Sequence, residues 1–191
     1  MSKTKLLVLP IILALSGCIS ITEPYPPNWA GLEHAGNSCT QLNGVYNGIG
    51  DHEVATARES AVIFGGPIEL TGFLMPPQQF KDVDSTNRVQ LIVGDGPSMT
   101  VLAFHDSELL ATTAYPMPGL SLSCRHGELN ISKDDGPKFL GPAIVYNEHN
   151  KKLEKAEDGS LVLRVSDWTA GALLVLPIGF ETLYWVRFSA E

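Results

Sequence analysis

The stretch NRVQLIVGDGPSMTVLAFH, residues 87–105, predicts the class of the fold. Every second residue from Val89 to Val93 is a branched aliphatic, as on a strand with one buried face. The residues from Gly94 to Pro97 are strong turn formers, and a second apolar run follows from Val101 to Phe104. Two apolar runs on either side of such a turn indicate an antiparallel β-hairpin.

Strand-like segments with turn residues between them recur along the chain. They are IELTGFLM ending at Pro76-Pro77, LSLSCRHGELNIS turning at His126-Gly127, GPAIVYNEHNKKLEKA turning near Asn150, EDGSLVLRVSD starting at Asp158-Gly159, GALLVLPI, and ETLYWVRF with Tyr184, Val186 and Phe188 on one face. Only residues 53–64 suggest a helix. Such spacing predicts a mainly antiparallel all-β single domain, a meandering sandwich or barrel-like fold with at most one short helix.

Composition and charge narrow the classes of function. The 191 residues suit one domain, and 44% hydrophobic with 18% charged residues allows a sizeable core. The formal net charge of −8 would repel phosphate backbones, so we expect no nucleic-acid partner.

The N-terminal segment has the layout of an export signal. Lys3 and Lys5 precede an uncharged apolar run, Leu6 to Leu15, that is shorter than the roughly 20 residues a membrane-spanning helix needs. The run ends in Leu15-Ser16-Gly17-Cys18 instead of an Ala-x-Ala site. We therefore interpret residues 1–17 as a secretory signal peptide.

Leu15-Ser16-Gly17-Cys18 resembles the lipobox of bacterial lipoproteins, Leu-[Ala/Ser]-[Gly/Ala]-Cys. Small residues let the backbone enter a processing peptidase, and the Cys18 thiol can accept a diacylglyceryl group as a thioether. The resemblance implies cleavage before Cys18, acylation of the new amino group by a fatty acid such as palmitate, and membrane attachment. Ile19, where an aspartate would favour the inner membrane, implies the outer membrane, facing the periplasm. A plain signal peptide or an uncleaved anchor with a chance cysteine is the alternative.

The three cysteines are accounted for if one of them carries lipid. Lipidation of Cys18 leaves Cys39 and Cys124, and export brings them into an oxidising compartment. We expect these two to form a disulfide, which on the chain-entropy model is worth roughly 4 to 5 kcal/mol. Two separate buried thiols are the alternative.

The chain divides into a signal peptide, a tether and a domain. Pro24, Pro26 and Pro27 disfavour helix and sheet, so residues 18–38 are predicted to form a lipidated, semi-rigid tether. Fully extended, such a tether would reach at most about 65 Å and let the domain stand clear of the membrane. The β-rich domain is expected over residues 39–191. Trp29 in the tether should pack on the domain or touch the bilayer interface.

A second, weaker resemblance covers the rest of the chain thinly. Its elements are Cys39-x-x-Leu42-x-Gly44-x-Tyr46, Asp-Gly-Ser-Leu at 158–161 and Trp-x-x-Phe at 185–188. Together with the lipobox, they are similar to small uncharacterised envelope lipoproteins of Gram-negative bacteria. This resemblance implies no role for any single residue.

Motifs for catalysis or metal binding are not evident. The sequence has no Gly-x-Ser-x-Gly elbow, and Ser98 is interpreted as a turn residue. No two histidines have chelating spacing. The polar cluster Asp51-His52-Glu53 is interpreted as a solvated loop, and Asp134-Asp135-Gly136 as a turn, since it lacks the rest of a calcium loop. We therefore predict no catalytic residue, no metal and no cofactor.

These observations predict a membrane-anchored envelope lipoprotein that is a non-catalytic binding or structural module. Its partner would be an envelope protein, a glycan or a lipophile. One alternative is an envelope hydrolase with dispersed Asp, Glu and His residues, which a deep pocket with a His–Asp pair would favour. Another is a lipocalin-like carrier, which would have a dry cavity inside a barrel. Whether the chain is an enzyme is left open.

Overall fold

A computed structural model describes residues 18–33, 36–51, 68–76, 86–140, 143–173 and 176–191. The predicted signal peptide, the helix suggested at residues 53–64, and His52 with Glu53 lie outside these ranges.

The described residues are mostly strands. In chain order they are β1 Cys18–Thr22, β2 Gly44–Asn47, β3 Ile49–Gly50, β4 Ile68–Glu69, β5 Arg88–Val93, β6 Met99–His105, β7 Glu108–Tyr115, β8 Ser121–Arg125, β9 Glu128–Leu140, β10 Ala143–Lys155, β11 Leu161–Leu173 and β12 Leu176–Phe188. The helical elements of these ranges are a 3₁₀ turn, Thr40–Leu42, and a short helix α1, Leu70–Leu74. The predicted class, mainly antiparallel all-β with at most one short helix, is confirmed.

The strands form two main sheets and one small one. A six-stranded sheet has the order β1-β12-β11-β10-β9-β8, a four-stranded sheet has the order β2-β5-β6-β7, and β3 pairs with β4. Within the described ranges every pair is antiparallel except β1 with β12. One core cluster takes buried residues from both large sheets, including Val89 and Val101 from one and Leu163 and Val186 from the other. This part of the chain is therefore sandwich-like, without closure into a barrel.

The hairpin predicted over residues 87–105 is present. β5 pairs with β6 in a register that sets Val89 opposite Ala103 and Val93 opposite Met99. The Gly94 N–H donates to the Ser98 carbonyl over 3.0 Å, so Ser98 is a turn residue as predicted. The alternation read from the sequence thus follows the buried face of this hairpin.

Two further turn predictions hold. His126 and Gly127 both have positive φ, 53° and 79°, as the two central residues of a tight hairpin turn require. Gly159 has φ of 84°, and the Asp158 carboxylate accepts a hydrogen bond from the Ser160 N–H over 3.0 Å. Hydrogen bonds from Ser160 lower the pKa of Asp158.

The prediction that IELTGFLM forms one continuous strand is wrong. Only Ile68–Glu69 is extended, and α1 follows at once. Leu70 and Leu74 are four residues apart and fully buried, which is the spacing of one helix face. The helix ends at Leu74, and the next residue, Met75, has the extended backbone that a following proline favours.

The predicted turn near Asn150 is also wrong. β10 runs unbroken from Ala143 to Lys155, because both of its neighbours pair with it. Asn150 lies opposite Ser132 on one side and Ser166 on the other. Two ladders of hydrogen bonds outweigh the local preference of an asparagine for turns. β9, β10, β11 and β12 are each 13 residues long as a result.

Asp134-Asp135-Gly136 is a β-bulge inside β9 and not a turn. The register between β9 and β10 shifts between Tyr146 and Glu148: the backbone of Asp134 pairs with that of Glu148, and the backbone of Pro137 with that of Tyr146. Gly136 supplies the positive φ, 62°, that such an extra residue requires.

The segment expected to act as a tether packs on the six-stranded sheet over residues 18–33, which we call the N-terminal clasp. β1 adds an edge strand, and the Glu23 N–H donates to the Leu183 carbonyl over 2.9 Å. Leu32 forms a bridge with Ala156. The folded body therefore includes residues ahead of Cys39, and the reach calculated for an extended tether does not apply to this segment.

Aromatic packing holds the N-terminal clasp on the sheet. Trp29 is only 7% exposed and packs against Ala156 and Val162, which confirms that it contacts the domain. Tyr25 stacks edge-to-face with Trp29 and with Trp185 at centroid distances of 5.9 and 5.2 Å. The face of β12 that carries Trp185 is thus covered by the clasp.

The predicted disulfide is present. Cys39 and Cys124 are bonded with their Cα atoms 6.0 Å apart. Cys39 precedes the 3₁₀ turn that leads into the four-stranded sheet, and Cys124 lies near the end of β8 in the six-stranded sheet. The bridge joins the two layers and excludes the alternative of two separate thiols.

Candidate functional site

A cleft of about 860 Å³ opens beside the core, between α1, the connection from β7 to β8, and the middle of the long strands. Its apolar wall includes Phe73, Met75, Met117, Leu120, Ile131 and Val165. Its polar groups are Lys133, His149, Lys151, Asp167 and Tyr184. The cleft therefore combines an apolar wall with a small cluster of charged and hydrogen-bonding side chains.

The cleft exists because the long strands extend past the layer that covers them. Residues two apart on a strand share a face, so the buried face continues from Val165 to Asp167 and from Ile131 to Lys133. Val165 and Ile131 are buried, whereas Lys133 is exposed and Asp167 is partly exposed. The change from apolar to polar along one face marks where the core ends and the cleft begins.

Three of the polar residues form a row across the sheet. His149 is the register partner of Asp167 on β11 and of Lys133 on β9. His149 Nδ1 and Asp167 Oδ1 are 2.8 Å apart, within hydrogen-bonding distance. The antiparallel register thus brings together an acid, an imidazole and an amine.

Lys151 lies two residues after His149 on the same face of β10, nearer the core. Its Nζ donates a hydrogen bond to the Phe73 carbonyl over 2.6 Å and lies 5.8 Å from the centre of the Phe73 ring. Burial lowers the pKa of Lys151; nearby Asp167 opposes this shift and Lys133 adds to it. Lys151 therefore connects α1 to the sheet and brings a partly desolvated ammonium group to the cleft wall.

Two tyrosines complete the wall. Burial raises the pKa of Tyr115 to about 12, and its hydroxyl donates to the Leu74 carbonyl over 2.7 Å, which holds the end of α1 in place. Burial, with smaller effects of Asp167 and Glu23, raises the pKa of Tyr184 as well. Both phenols stay protonated at neutral pH and can act as hydrogen-bond donors.

The polar lining of the cleft consists of two amines, a carboxylate, an imidazole and two phenols. With two lysines and one aspartate, the described lining has an excess of one positive charge when His149 is neutral. None of these lining residues is Ser, Thr or Cys, so a covalent intermediate on this wall would need an amine, a carboxylate, an imidazole or a phenol as its nucleophile. The His149–Asp167 pair could orient or deprotonate a water molecule.

Sequence reasoning did not single out His149 and Asp167. They are 18 residues apart, and only the register of β10 with β11 makes them neighbours. Of the aromatic residues on β11 and β12, Tyr184 lines the cleft. Phe188 is fully buried in the core, and Trp168 is exposed at 43% of its surface.

The residues predicted to carry chemistry or attachment lie apart from the cleft. The backbone of Cys18 begins β1, and the Cys39–Cys124 bridge lies between the layers. Asp51 pairs with Arg187 at 3.5 Å, so the described part of that polar cluster forms a surface ion pair. In the described residues, no group of three or more His, Cys, Asp or Glu side chains is placed to hold a metal ion.

In the part of the chain that the structure describes, none of the helices has the length and hydropathy needed to cross a bilayer.

No family model matches the sequence, and no curated protein or solved structure is significantly similar to it. The function must therefore be argued from the cleft and the surface.

Proposed function

We propose that this protein is a membrane-anchored lipoprotein of the bacterial envelope, attached through lipidated Cys18, that binds an amphiphilic ligand with an anionic group in the cleft. The observation that carries the proposal is the meeting of an apolar wall with Lys133, Lys151 and the Tyr184 phenol. The role is non-catalytic binding, on the periplasmic face of the outer membrane.

The size and composition of the cleft support a small-molecule ligand. Its volume of about 860 Å³ lies in the range of roughly 300–1,000 Å³ common for ligand pockets. Apolar side chains such as Met117 and Leu120 would receive an alkyl or ring portion, while the two lysines would attract a carboxylate or phosphate. A positive cleft in a chain of net charge −8 is a local exception that favours anions.

The N-terminal sequence supports attachment to the membrane. Leu15-Ser16-Gly17-Cys18 follows an apolar run of the length of a signal peptide. Acyl chains on Cys18, at about 0.8 kcal/mol for each buried CH₂ group, would keep the protein at the bilayer. Intact-mass analysis of protein recovered from its host tests this: the expected product starts at Cys18 and carries fatty-acyl mass.

Binding of a matched pair of detergents tests the cleft. Dodecyl phosphate should bind to the purified protein, and dodecanol, which lacks the charge, should bind at least tenfold more weakly, since a charged hydrogen bond contributes roughly 1.5–3 kcal/mol. Lys133→Met should remove most of this preference, as measured by calorimetric titration. Lys138→Met is the matched control, because Lys138 is on the same strand but does not line the cleft. Equal affinity for both compounds, or equal loss in both variants, would contradict the proposal.

An envelope hydrolase that activates water is the second candidate, favoured by the 2.8 Å contact between His149 and Asp167. If the pair is a general base, Asp167→Asn should lower the hydrolysis of p-nitrophenyl esters or phosphates by roughly 10²-fold or more. Under the binding proposal the wild-type protein has no such activity above background, and Asp167→Asn changes only ligand affinity. A steady-state assay with both substrates separates the two functions.

A further inference from the structure

Six large apolar side chains are exposed at one end of the six-stranded sheet, and we call them the exposed band. They are Ile19, Phe139, Ile144, Tyr146, Trp168 and Phe180. Phe139 is the most open, with 73% of its surface exposed. Ile19 and Phe180 lie on the face that carries the core, beyond the four-stranded sheet, and the other four lie on the opposite face, beyond the clasp. The described residues provide no second layer over either part of the band.

The register places Cys18 at the level of this band. Cys18 lies beside Gly179, Gly179 beside Ala170, and Ala170 beside Tyr146. At about 4.8 Å for each strand, Cys18 and Tyr146 are separated by about 14 Å along one row. The proposed acylation site and the exposed aromatic residues therefore share one end of the molecule.

The direction of β1 gives the same orientation. β1 is parallel to β12, and β12 starts at the end of the sheet where β11 ends. The chain therefore enters the fold from the side of this end, and residues after Cys18 run away from it. An acyl group on Cys18 would bring this end, and not the cleft or the four-stranded sheet, closest to the bilayer.

The dimensions match an interfacial contact. Beyond the row of Cys18, three residues of each long strand remain, which amounts to about 10 Å. Trp168 lies two residues on the other side of this row, level with Glu148 and Glu181, so it marks the outer edge of the layer that the band would enter. Segments that lie in the membrane interface bury their apolar side chains by about 5–10 Å. In sequence, residues 138–145 contain only Lys138 as a charged residue, and residues 171–178 contain none. The strand ends beyond the row of Cys18 can therefore enter the headgroup layer with almost no charge to desolvate.

The exposed band occupies both faces of the sheet, which favours lipid over a protein partner. Phe139 and Ile144 are register partners, and Trp168 lies on the same face as Tyr146, the partner of Ala170. Phe180 is the partner of Thr169, next to Trp168, and therefore points to the opposite face. A protein would cover one face, whereas lipid surrounds an inserted edge. Tyr and Trp are also the residues enriched at membrane interfaces.

From this geometry we propose that the exposed band inserts into the interfacial layer of the bilayer beside the Cys18 anchor. It thereby orients the domain so that this end of β9, β10, β11 and β12 points to the membrane. The inference takes the acylation of Cys18 from the proposed function, and the two are tested separately. In this orientation the cleft opens near the membrane surface, because Lys133 in the cleft and Phe139 in the exposed band lie on the same strand, β9.

Fluorescence of Trp168 tests the insertion. The full chain is purified from host membranes and reconstituted into phosphatidylcholine vesicles with or without lipid brominated along its acyl chains. Of the three tryptophans, Trp29 is buried and Trp185 packs under the clasp, so Trp168 should supply most of the quenching by bromine. We expect Trp168→Phe to reduce that quenching at least twofold.

A matched pair of variants separates insertion from folding. Phe139→Asp should reduce the quenching of Trp168 by bromine at least twofold, because a charge at the end of the sheet opposes insertion. Leu109→Asp, at an exposed apolar site on β7 in the other sheet, should leave the quenching unchanged. Unfolding midpoints of both variants should match that of the wild type, since both sites are exposed.

Three outcomes would overturn the inference. Equal bromine quenching in the wild type and Trp168→Phe would show that Trp168 lies outside the lipid. Protection of Trp168 from both bromolipid and aqueous acrylamide would show that a protein or a second copy covers it. An effect of Leu109→Asp equal to that of Phe139→Asp would show a general loss of binding. If intact mass shows no acyl group and Trp168 is still quenched, the anchor is refuted and the insertion stands.

Discussion

The double variant Cys39→Ala/Cys124→Ala is expected to unfold with a free energy lower than that of the wild type by roughly 4 to 5 kcal/mol. The bridge closes a loop with a sequence separation of 85 residues, and opening it restores that conformational entropy to the unfolded chain. Cys39 is only 2% exposed and belongs to the main core, so the loss also removes packing between the layers. Urea titration followed by circular dichroism measures the change.

Reduction of the wild-type protein is the control for this variant. The reduced protein should unfold at a midpoint well below that of the oxidised wild type and slightly above that of the double alanine variant, because it lacks the covalent link but keeps the two sulfur atoms in the core. If the variant lost less than about 1 kcal/mol, the bridge would not constrain the unfolded chain as the loop-closure model requires.

Trp29→Ala should destabilise the protein by about 3–5 kcal/mol, the usual cost of truncating a buried tryptophan. The indole fills the space between Ala156 and Val162, and the Arg187 guanidinium lies 5.2 Å from the centre of its ring. Without it, Tyr25 loses one of its two edge-to-face partners. The N-terminal clasp should then open locally before the sandwich unfolds.

Limited proteolysis separates clasp opening from global unfolding. A glutamyl endopeptidase should cut Trp29→Ala after Glu33 at least tenfold faster than the wild type under native conditions. Trp168→Ala is the matched control, since this tryptophan is 43% exposed and its truncation should cost less than about 1 kcal/mol. Equal cleavage rates in both variants would show that the clasp does not depend on Trp29.

The proposed functions depend differently on these two features. Loss of the disulfide should weaken ligand binding only as far as it unfolds the protein, because neither cysteine lines the cleft. Opening of the clasp would detach β1 from β12 and so separate Cys18 from the exposed band. Trp29→Ala should therefore leave an acylated protein on the membrane while lowering the bromine quenching of Trp168.

Local patterns were enough to predict much of the sandwich. Alternation from Val89 to Val93, and glycine at positions 127 and 159, depend on residues close together in the chain. A buried strand face and a positive φ impose their requirements within a few residues, so these features appear directly in the sequence. The disulfide followed from counting cysteines once Cys18 was assigned to lipid.

Pairing between residues far apart in sequence determined the features of the fold that local patterns did not predict. Asn150 continues a strand because ladders on both sides hold it, and the proline-containing segment packs because Trp29 finds an apolar site on a distant strand. His149 and Asp167 meet only through the β10–β11 register, so no spacing in the sequence indicated the cleft. The chain alone therefore indicated the all-β class, the disulfide and an expected lipid anchor. The cleft and the position of Cys18 beside the exposed band come from strand pairing, because contacts between residues far apart in sequence depend on the whole sheet.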